Sequence, residues 1–205
     1  MHYKTVFISD LHLASKKSKT KPLIDFLKNN TFDTIFLVGD IIDIWRFKQA
    51  FSMPNKKQNE HLEVVERLLK HARKGTIIHY IWGNHDEFMA KFKGHEIFGS
   101  VQLHERMDFI SSNGTKYLIM HGHQLNVNDV FNFCRRMLGM KYWSISKYMK
   151  IKVKKATQFI ESFETVITRY VKDKGYNGVI CGHLHDPKIK NVDGVIYANC
   201  GCWTE

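Results

Sequence analysis

Thr34-Ile35-Phe36-Leu37-Val38-Gly39-Asp40-Ile41-Ile42-Asp43 begins as a β-branched and apolar run, Thr34 to Val38, and breaks at a glycine followed by two carboxylates. Such a run bounded by a turn residue reads as a buried strand whose end delivers polar groups. Upstream, Lys4 to Ser9 has the same character and ends at Asp10-Leu11-His12. Between the two strands Thr20 offers an N-cap, Pro22 sits just inside a helix, and Leu23, Ile24, Phe26 and Leu27 form its apolar face. Downstream, a polar stretch leads into a helix from about Gln58 to Arg73, with Leu62, Val65, Leu68 and Leu69 at helical spacing until Gly75. A third strand, Thr76 to Trp82, ends at Gly83-Asn84-His85-Asp86. Strand, helix, strand, helix, strand predicts a parallel sheet covered by helices, an α/β fold.

The second half reads differently. Asp108 to Ser111 and Lys116 to Met120 flank an Asn-Gly turn and predict a hairpin, ending at His121-Gly122-His123. Residues 126–156 form a basic, aromatic, helix-prone insertion, followed by a helix to about Lys172. Val179 to Cys181 is a further strand ending at Gly182-His183-Leu184-His185, and Lys188 to Asn191 with Val195 to Ala198 form a last hairpin. No internal repeat or Pro/Gly-rich linker interrupts the chain, so residues 1–205 are expected to form one domain with a helical cap at about 126–156.

Composition narrows the function classes. Hydrophobic residues make up 43% and charged residues 25% of the 205, which excludes disordered and collagenous chains. A formal charge of +11 favours anionic partners. Charged residues interrupt every apolar run, so no spanning helix is expected. The N-terminus shows no secretory pattern, and Cys134, Cys181, Cys200 and Cys202 fit neither a disulfide framework nor a zinc pair, which reads as a cytoplasmic protein.

Five motifs sit just past expected strands, namely Asp-x-His at Asp10, Gly-Asp-x-x-Asp at Asp40, Gly-Asn-His-Asp at Asn84, His-Gly-His at His121 and Gly-His-x-His at His183. They hold six of the twelve histidines, at the sheet edge where α/β proteins bind ligands. Alternate residues of an extended stretch point the same way, so Asp10 with His12 and His183 with His185 can each face one ion cluster. Carboxylate and amide oxygens with imidazoles, and no thiolate, suit Mn²⁺, Fe, Co or Zn²⁺. With Asp40 as a bridge, two ligand carboxylates, Asp10 and Asp40, would face two divalent cations and leave the centre attractive to phosphate.

In this order the motifs resemble the calcineurin-like metallophosphoesterases over nearly the whole chain. The resemblance implies a four-layer α/β/β/α sandwich with a dinuclear centre at one edge. It implies that Asp10, His12, Asp40 and His185 hold one metal, and that Asp40, Asn84, His121 and His183 hold the other. His85, a catalytic residue oriented by Asp86, would contact the substrate phosphate together with Asn84. Asp43 would act behind the ligands or cap the following turn.

Ile44-Trp45-Arg46 after Asp43, Glu87 after Asp86, Tyr142 to Ser146 and Lys150 to Ala156 carry a narrower resemblance, to the UDP-2,3-diacylglucosamine pyrophosphatases. It implies cleavage of an anionic acylated sugar nucleotide to UMP and acylated glucosamine 1-phosphate in lipid A biosynthesis, with manganese and with peripheral attachment to the inner face of the membrane. Lys155, then Lys152, would contact substrate phosphate. The competing reading is the same chemistry on a soluble nucleotide, nucleotide-sugar or nucleic acid; the absence of a recognised nucleic-acid module weighs against the last. Between Val130 and Ile160 lie eight basic residues and no acidic one, interleaved with aromatics and methionines, which fits a lid or interfacial helix for an anionic lipid. His123 stands where that subfamily carries Asp. The chain ends at Asn199-Cys200-Gly201-Cys202-Trp203-Thr204-Glu205 without the further strand usual there, so the C-terminal sheet edge is expected to be capped or paired with a second copy.

Overall fold

The computed structural model describes residues 1–46, 48, 51–97, 101–125 and 163–204. Two five-stranded sheets face one another. In the first, β1 (His2–Ile8), β2 (Thr31–Val38), β3 (Ile77–Ile81) and β5 (Val101–His104) run parallel, and β4 (Glu96–Ile97) closes the edge antiparallel to β5. Helix α1 (Thr20–Asn29) connects β1 to β2, and α2 (Asn55–Arg73) connects β2 to β3. In the second sheet the order is β6 (Arg106–Ile110), β7 (Lys116–Met120), β8 (Gly178–Cys181), β10 (Val195–Asn199), β9 (Lys188–Val192). Its three inner strands are parallel and its two outer ones antiparallel. Helix α3 (Phe163–Asp173) precedes β8.

Side-chain alternation along the strands builds the layers. Ile35 and Leu37 of β2 pack with Leu23, Leu27, Val64 and Leu68 of α1 and α2. Phe36 and Val38, one residue out of phase, meet Ile119 and Ile180 of the other sheet. Leu118, Met120, Val179 and Cys181 then cover Ile167 and Val171 of α3. The result is the α/β/β/α sandwich, with the C-terminal ends of β1, β2, β3, β7 and β8 carrying the motif loops.

Four local expectations are corrected. Thr20 is the first helical residue rather than the cap, which is Lys19, and its hydroxyl donates to Glu60 of α2 at 2.7 Å. Leu62 is exposed; the buried stripe of α2 is His61, Val64, Leu68 and Ala72, about 100° round the helix from Leu62. The short strands β4 and β5, of two and four residues, add to those the sequence pattern predicts. The C-terminal strand β10 lies inside its sheet, so the edges are β6 and β9, and Lys188 and Lys190 of β9 pair with Glu164 of α3 at 2.9 and 2.6 Å. The residues after β10 cross to the first sheet, where Lys19 N–H donates to Trp203 O at 2.6 Å and Trp203 N–H to Asp10 O at 3.0 Å. The expected cap with Lys152 and Lys155 lies outside the described residues, among which no helix is long and apolar enough to cross a membrane.

Candidate metal centre

The loops converge because their backbones are bent in an unusual way. Asp10 (φ 52°), His12 (46°), Asp40 (53°), His183 (71°) and His185 (57°) all adopt the left-handed conformation. Non-glycine residues rarely do so, at a cost of order 1–3 kcal/mol each, and they persist where surrounding contacts over-determine them. Those contacts run between loops. Asp10 N–H donates to Gly39 O (3.0 Å), His12 N–H to Asp40 O (2.9 Å) and Gly182 N–H to His121 O (3.1 Å). The ligand carboxylates are enlisted too, since His183 N–H donates to Asp10 Oδ2 (3.0 Å) and His85 N–H to Asp40 Oδ1 (2.9 Å). Glycine is required beside them: a Cβ at Gly39 would overlap the His121 ring, and one at Gly83 would overlap the Asp40 carboxylate.

Two buried carboxylates, Asp10 and Asp40, form the floor. His185 Nε2 lies 3.0 Å from Asp10 Oδ1. His12 Nε2 lies 3.7 Å from Asp10 Oδ1, 3.8 Å from Asp40 Oδ2 and 3.3 Å from His185 Nε2. On the far side His121 Nε2 stands 3.4 Å from Asp40 Oδ2, and the His183 ring lies 5.2 Å from that of His121. Asp10 with His12 and His185, and Asp10 with Asp40 and His121, thus each present donor atoms within 4.8 Å of one another.

The donor set fits divalent metals on two observations. His121 Nδ1 sits 3.0 Å from the Val38 carbonyl, which can only accept, so Nδ1 keeps its proton and Nε2 is the nitrogen that faces the carboxylates and can take a cation once its own proton leaves. That Nε2 and the Oδ1 of Asn84 are both buried without a hydrogen-bond partner. Buried polar atoms left without a partner are costly in a protein interior, and a cation that displaces the Nε2 proton satisfies both.

Electrostatics agree. Burial alone would raise the Asp10 and Asp40 carboxyls, but the histidines around them outweigh it and hold both below the usual carboxylate range. Burial opposes the charged form of His121, yet Asp40 and Asp10 push its pKa up to about 8. Burial and the neighbouring His121 depress His183, while Asp10 raises His185.

Asp86 does not reach the His85 ring. Its carboxylate accepts from Ile41 N–H (2.7 Å), Ile42 N–H (3.3 Å), Gly83 N–H and the Tyr80 hydroxyl (2.6 Å), tying the loop after β3 to the loop after β2. The contact with His85 belongs to Asp43, whose Oδ1 lies 3.1 Å from His85 Nδ1. Asp43 also accepts from Arg46 N–H at 3.2 Å, so it caps the following turn, while the same oxygen approaches His85 Nδ1 without hydrogen-bond geometry. His85 Nε2 points inward, 3.9 Å from Asp40 Oδ2. His123 keeps a buried, unpartnered Nδ1 beside His121, and burial pushes its pKa down to about 4.

Two contributors escaped the sequence reading. Ser9 Oγ, 2.7 Å from Asp10 Oδ2, braces that carboxylate from inside the strand end. Trp45, 71% exposed, lays its ring 4.4 Å from that of His85. The first had no signal beyond its place before Asp10, and the second stood within a stretch that carries the narrower resemblance, with nothing to point it at His85.

The sequence profile described as calcineurin-like phosphoesterase matches residues 3–187. A UDP-2,3-diacylglucosamine hydrolase of Psychromonas ingrahamii is 27% identical, over 89% of this chain and 80% of its own. A UDP-2,3-diacylglucosamine hydrolase of Aliivibrio fischeri is 26% identical, over 89% and 81%. Among solved structures, Vacuolar Protein Sorting 29 from Cryptosporidium parvum superposes with a TM-score of 0.48 at 12% identity, covering 98% of this chain and 74% of its own.

Proposed function

The chain belongs to the calcineurin-like phosphoesterase family and is a metal-dependent hydrolase, and we propose that it cleaves the diphosphate of UDP-2,3-diacylglucosamine to UMP and acylated glucosamine 1-phosphate, a step of lipid A biosynthesis. The observation that carries the substrate is the likeness to UDP-2,3-diacylglucosamine hydrolases over 89% of the chain. Asp10, His12, Asp40 and His185 would hold one divalent ion, and Asp40, Asn84, His121 and His183 a second, with Mn²⁺ as the resident metal ahead of Zn²⁺, Fe or Co. When bound, such ions supply positive charge for phosphoryl oxygens and acidify the attacking water.

The chain's own groups do the rest. His85, with the Asp43 carboxylate beside its Nδ1, presents Nε2 toward the reacting phosphate and stabilises or protonates the departing oxygen. Asn84, on the same loop, shares the phosphate contact. Asp86 keeps that loop fixed against the loop of Asp40. Lys155 and Lys152 are assigned to the non-reacting phosphate, and the 126–156 cap to the acyl chains. The same reading places the enzyme in the cytoplasm at the inner membrane face, with no specific nucleic acid as partner.

The test is product analysis with UDP-2,3-diacylglucosamine and with unacylated UDP-N-acetylglucosamine under Mn²⁺. Each buried methylene contributes roughly 0.8 kcal/mol, so kcat/KM for the acylated substrate should exceed that for the bare one by several orders of magnitude, with UMP released. Equal kcat/KM on both would leave a soluble nucleotide or nucleotide-sugar hydrolase.

A further inference from the structure

Two histidines outside the motif loops meet across the first sheet. In the β3–β5 register His79 faces Gln102 and Ile81 faces His104, so the two imidazoles are diagonal neighbours on the same side of the sheet. His79 Nδ1 lies 3.3 Å from His104 Nε2. The His79 ring is 8% exposed and stacks on Phe36 at 4.8 Å, which fixes its plane. Burial depresses the pKa of both rings, and in His79 the neighbouring His104 depresses it further, so both are neutral at physiological pH and each has a lone pair to offer.

Metal–imidazole bonds of about 2.0–2.1 Å at a tetrahedral angle place two ligand nitrogens about 3.3 Å apart. The pair already has that spacing. We infer that His79 and His104 form a second transition-metal site, for a dication of the Zn²⁺ type, separate from the centre built around Asp40. In the metal-free pair one ring donates its N–H to the other. On binding, that ring shifts to its other tautomer with the proton on the remote nitrogen, so both rings stay neutral and no net proton is released. An open cleft of about 400 Å³, lined by Gln102, His104, Glu96 and Glu105 among others but not by the buried His79, reaches the pair from the His104 side, where a hydrated ion would enter. Lys93 and Arg106 line the same cleft and partly offset the two carboxylates, so binding rests on the imidazoles. Two protein ligands make this a weaker site than one with four.

Equilibrium dialysis of chelator-stripped protein against Zn²⁺ tests the site without reference to activity or substrate. The parent should take up one equivalent more than His104→Gln, and His79→Gln should lack the same equivalent. Asp40→Ala should keep it while losing ions of the main centre. Above the concentration that fills the tight sites, further Zn²⁺ should raise the Tm of the parent but not of His104→Gln. Long-range ¹H–¹⁵N spectra of the parent would show both coordinating ring nitrogens responding in that range, a readout that needs no variant. Equal stoichiometry in the parent and both variants, or ring nitrogens that do not respond, would reduce the pair to an inter-strand hydrogen bond and overturn the inference.

Discussion

Asp43 Oδ1 stands 3.1 Å from His85 Nδ1, although Asp86 is the acid next to His85 in the chain. The separation of tasks has a geometric cause. Asp86 is fully buried and turned toward three backbone donors on two loops and the Tyr80 hydroxyl on β3, whereas Asp43 lies on the turn that passes beside the His85 ring. One acid sets the loop and the other sets the imidazole. Replacing His85 by Ala should therefore lower kcat by a factor on the order of 10² with metal content unchanged, as expected for a group that acts on developing charge. Asp43→Asn should cost about tenfold in kcat, since the imidazole remains but loses its anionic brace. Elemental analysis beside steady-state kinetics checks both; depletion of metal in His85→Ala would make it a ligand instead.

Much of this was legible in the sequence because strand ends announce themselves. Thr34 to Val38 followed by Gly39-Asp40 fixes both a buried strand and the place of its carboxylate, and the other motifs repeat the pattern. Contacts across loops were not legible. Nothing in Gly-Asn-His-Asp tells that the last residue serves backbone amides at Ile41 and Ile42, and nothing in Gly-Asp-x-x-Asp tells that its second acid reaches His85. Leu62 was misplaced for a related reason, because periodicity gives the width of an apolar stripe but tertiary packing chooses its centre, here Val64 and Leu68. The interior position of β10 depends on β9 folding back outside it, a choice of sheet order that local pattern does not carry.

Asp40 accepts from His85 N–H and approaches His12, His85 and His121, so both halves of the centre depend on it. Asp40→Ala should lose both tightly bound divalent ions and all measurable activity together. Asn84→Ala, which removes one open acceptor, should weaken only one of the two. Dialysis against Mn²⁺ with elemental counting separates these outcomes, and two tightly bound ions persisting in Asp40→Ala would refute its bridging role.

Gly39 combines a φ of +83° with direct contact against the His121 ring, whereas Gly75, at +96°, has open space where a Cβ would go. Gly75→Ala should cost about 1 kcal/mol, the backbone penalty alone. Gly39→Ala should cost clearly more and displace His121, so thermal melts would show a larger fall in Tm together with loss of metal. Equal penalties at the two glycines would mean that the His121 ring can yield to a methyl group.

The His121 imidazole couples this centre to pH. Its pKa in the folded, metal-free protein is raised to about 8, from an ordinary value of 6.5, because Asp40 and Asp10 outweigh the cost of its burial. A proton at Nε2 blocks a cation there, so below about pH 8 binding must expel it, and metal affinity should climb with pH and level off above that value. Stability of the metal-free protein runs the other way. A histidine whose folded pKa exceeds its unfolded one adds stability that is full below pH 6.5 and disappears as pH rises through about 8. Heating scans of chelator-stripped protein should thus show this contribution fading between pH 6.5 and 8, while the gain in Tm from added Mn²⁺ grows over the same interval. His121→Gln, which has no proton to lose, should flatten both trends. A parent whose metal affinity is constant from pH 6.5 to 8 would show that His121 is not among the groups the metal displaces a proton from.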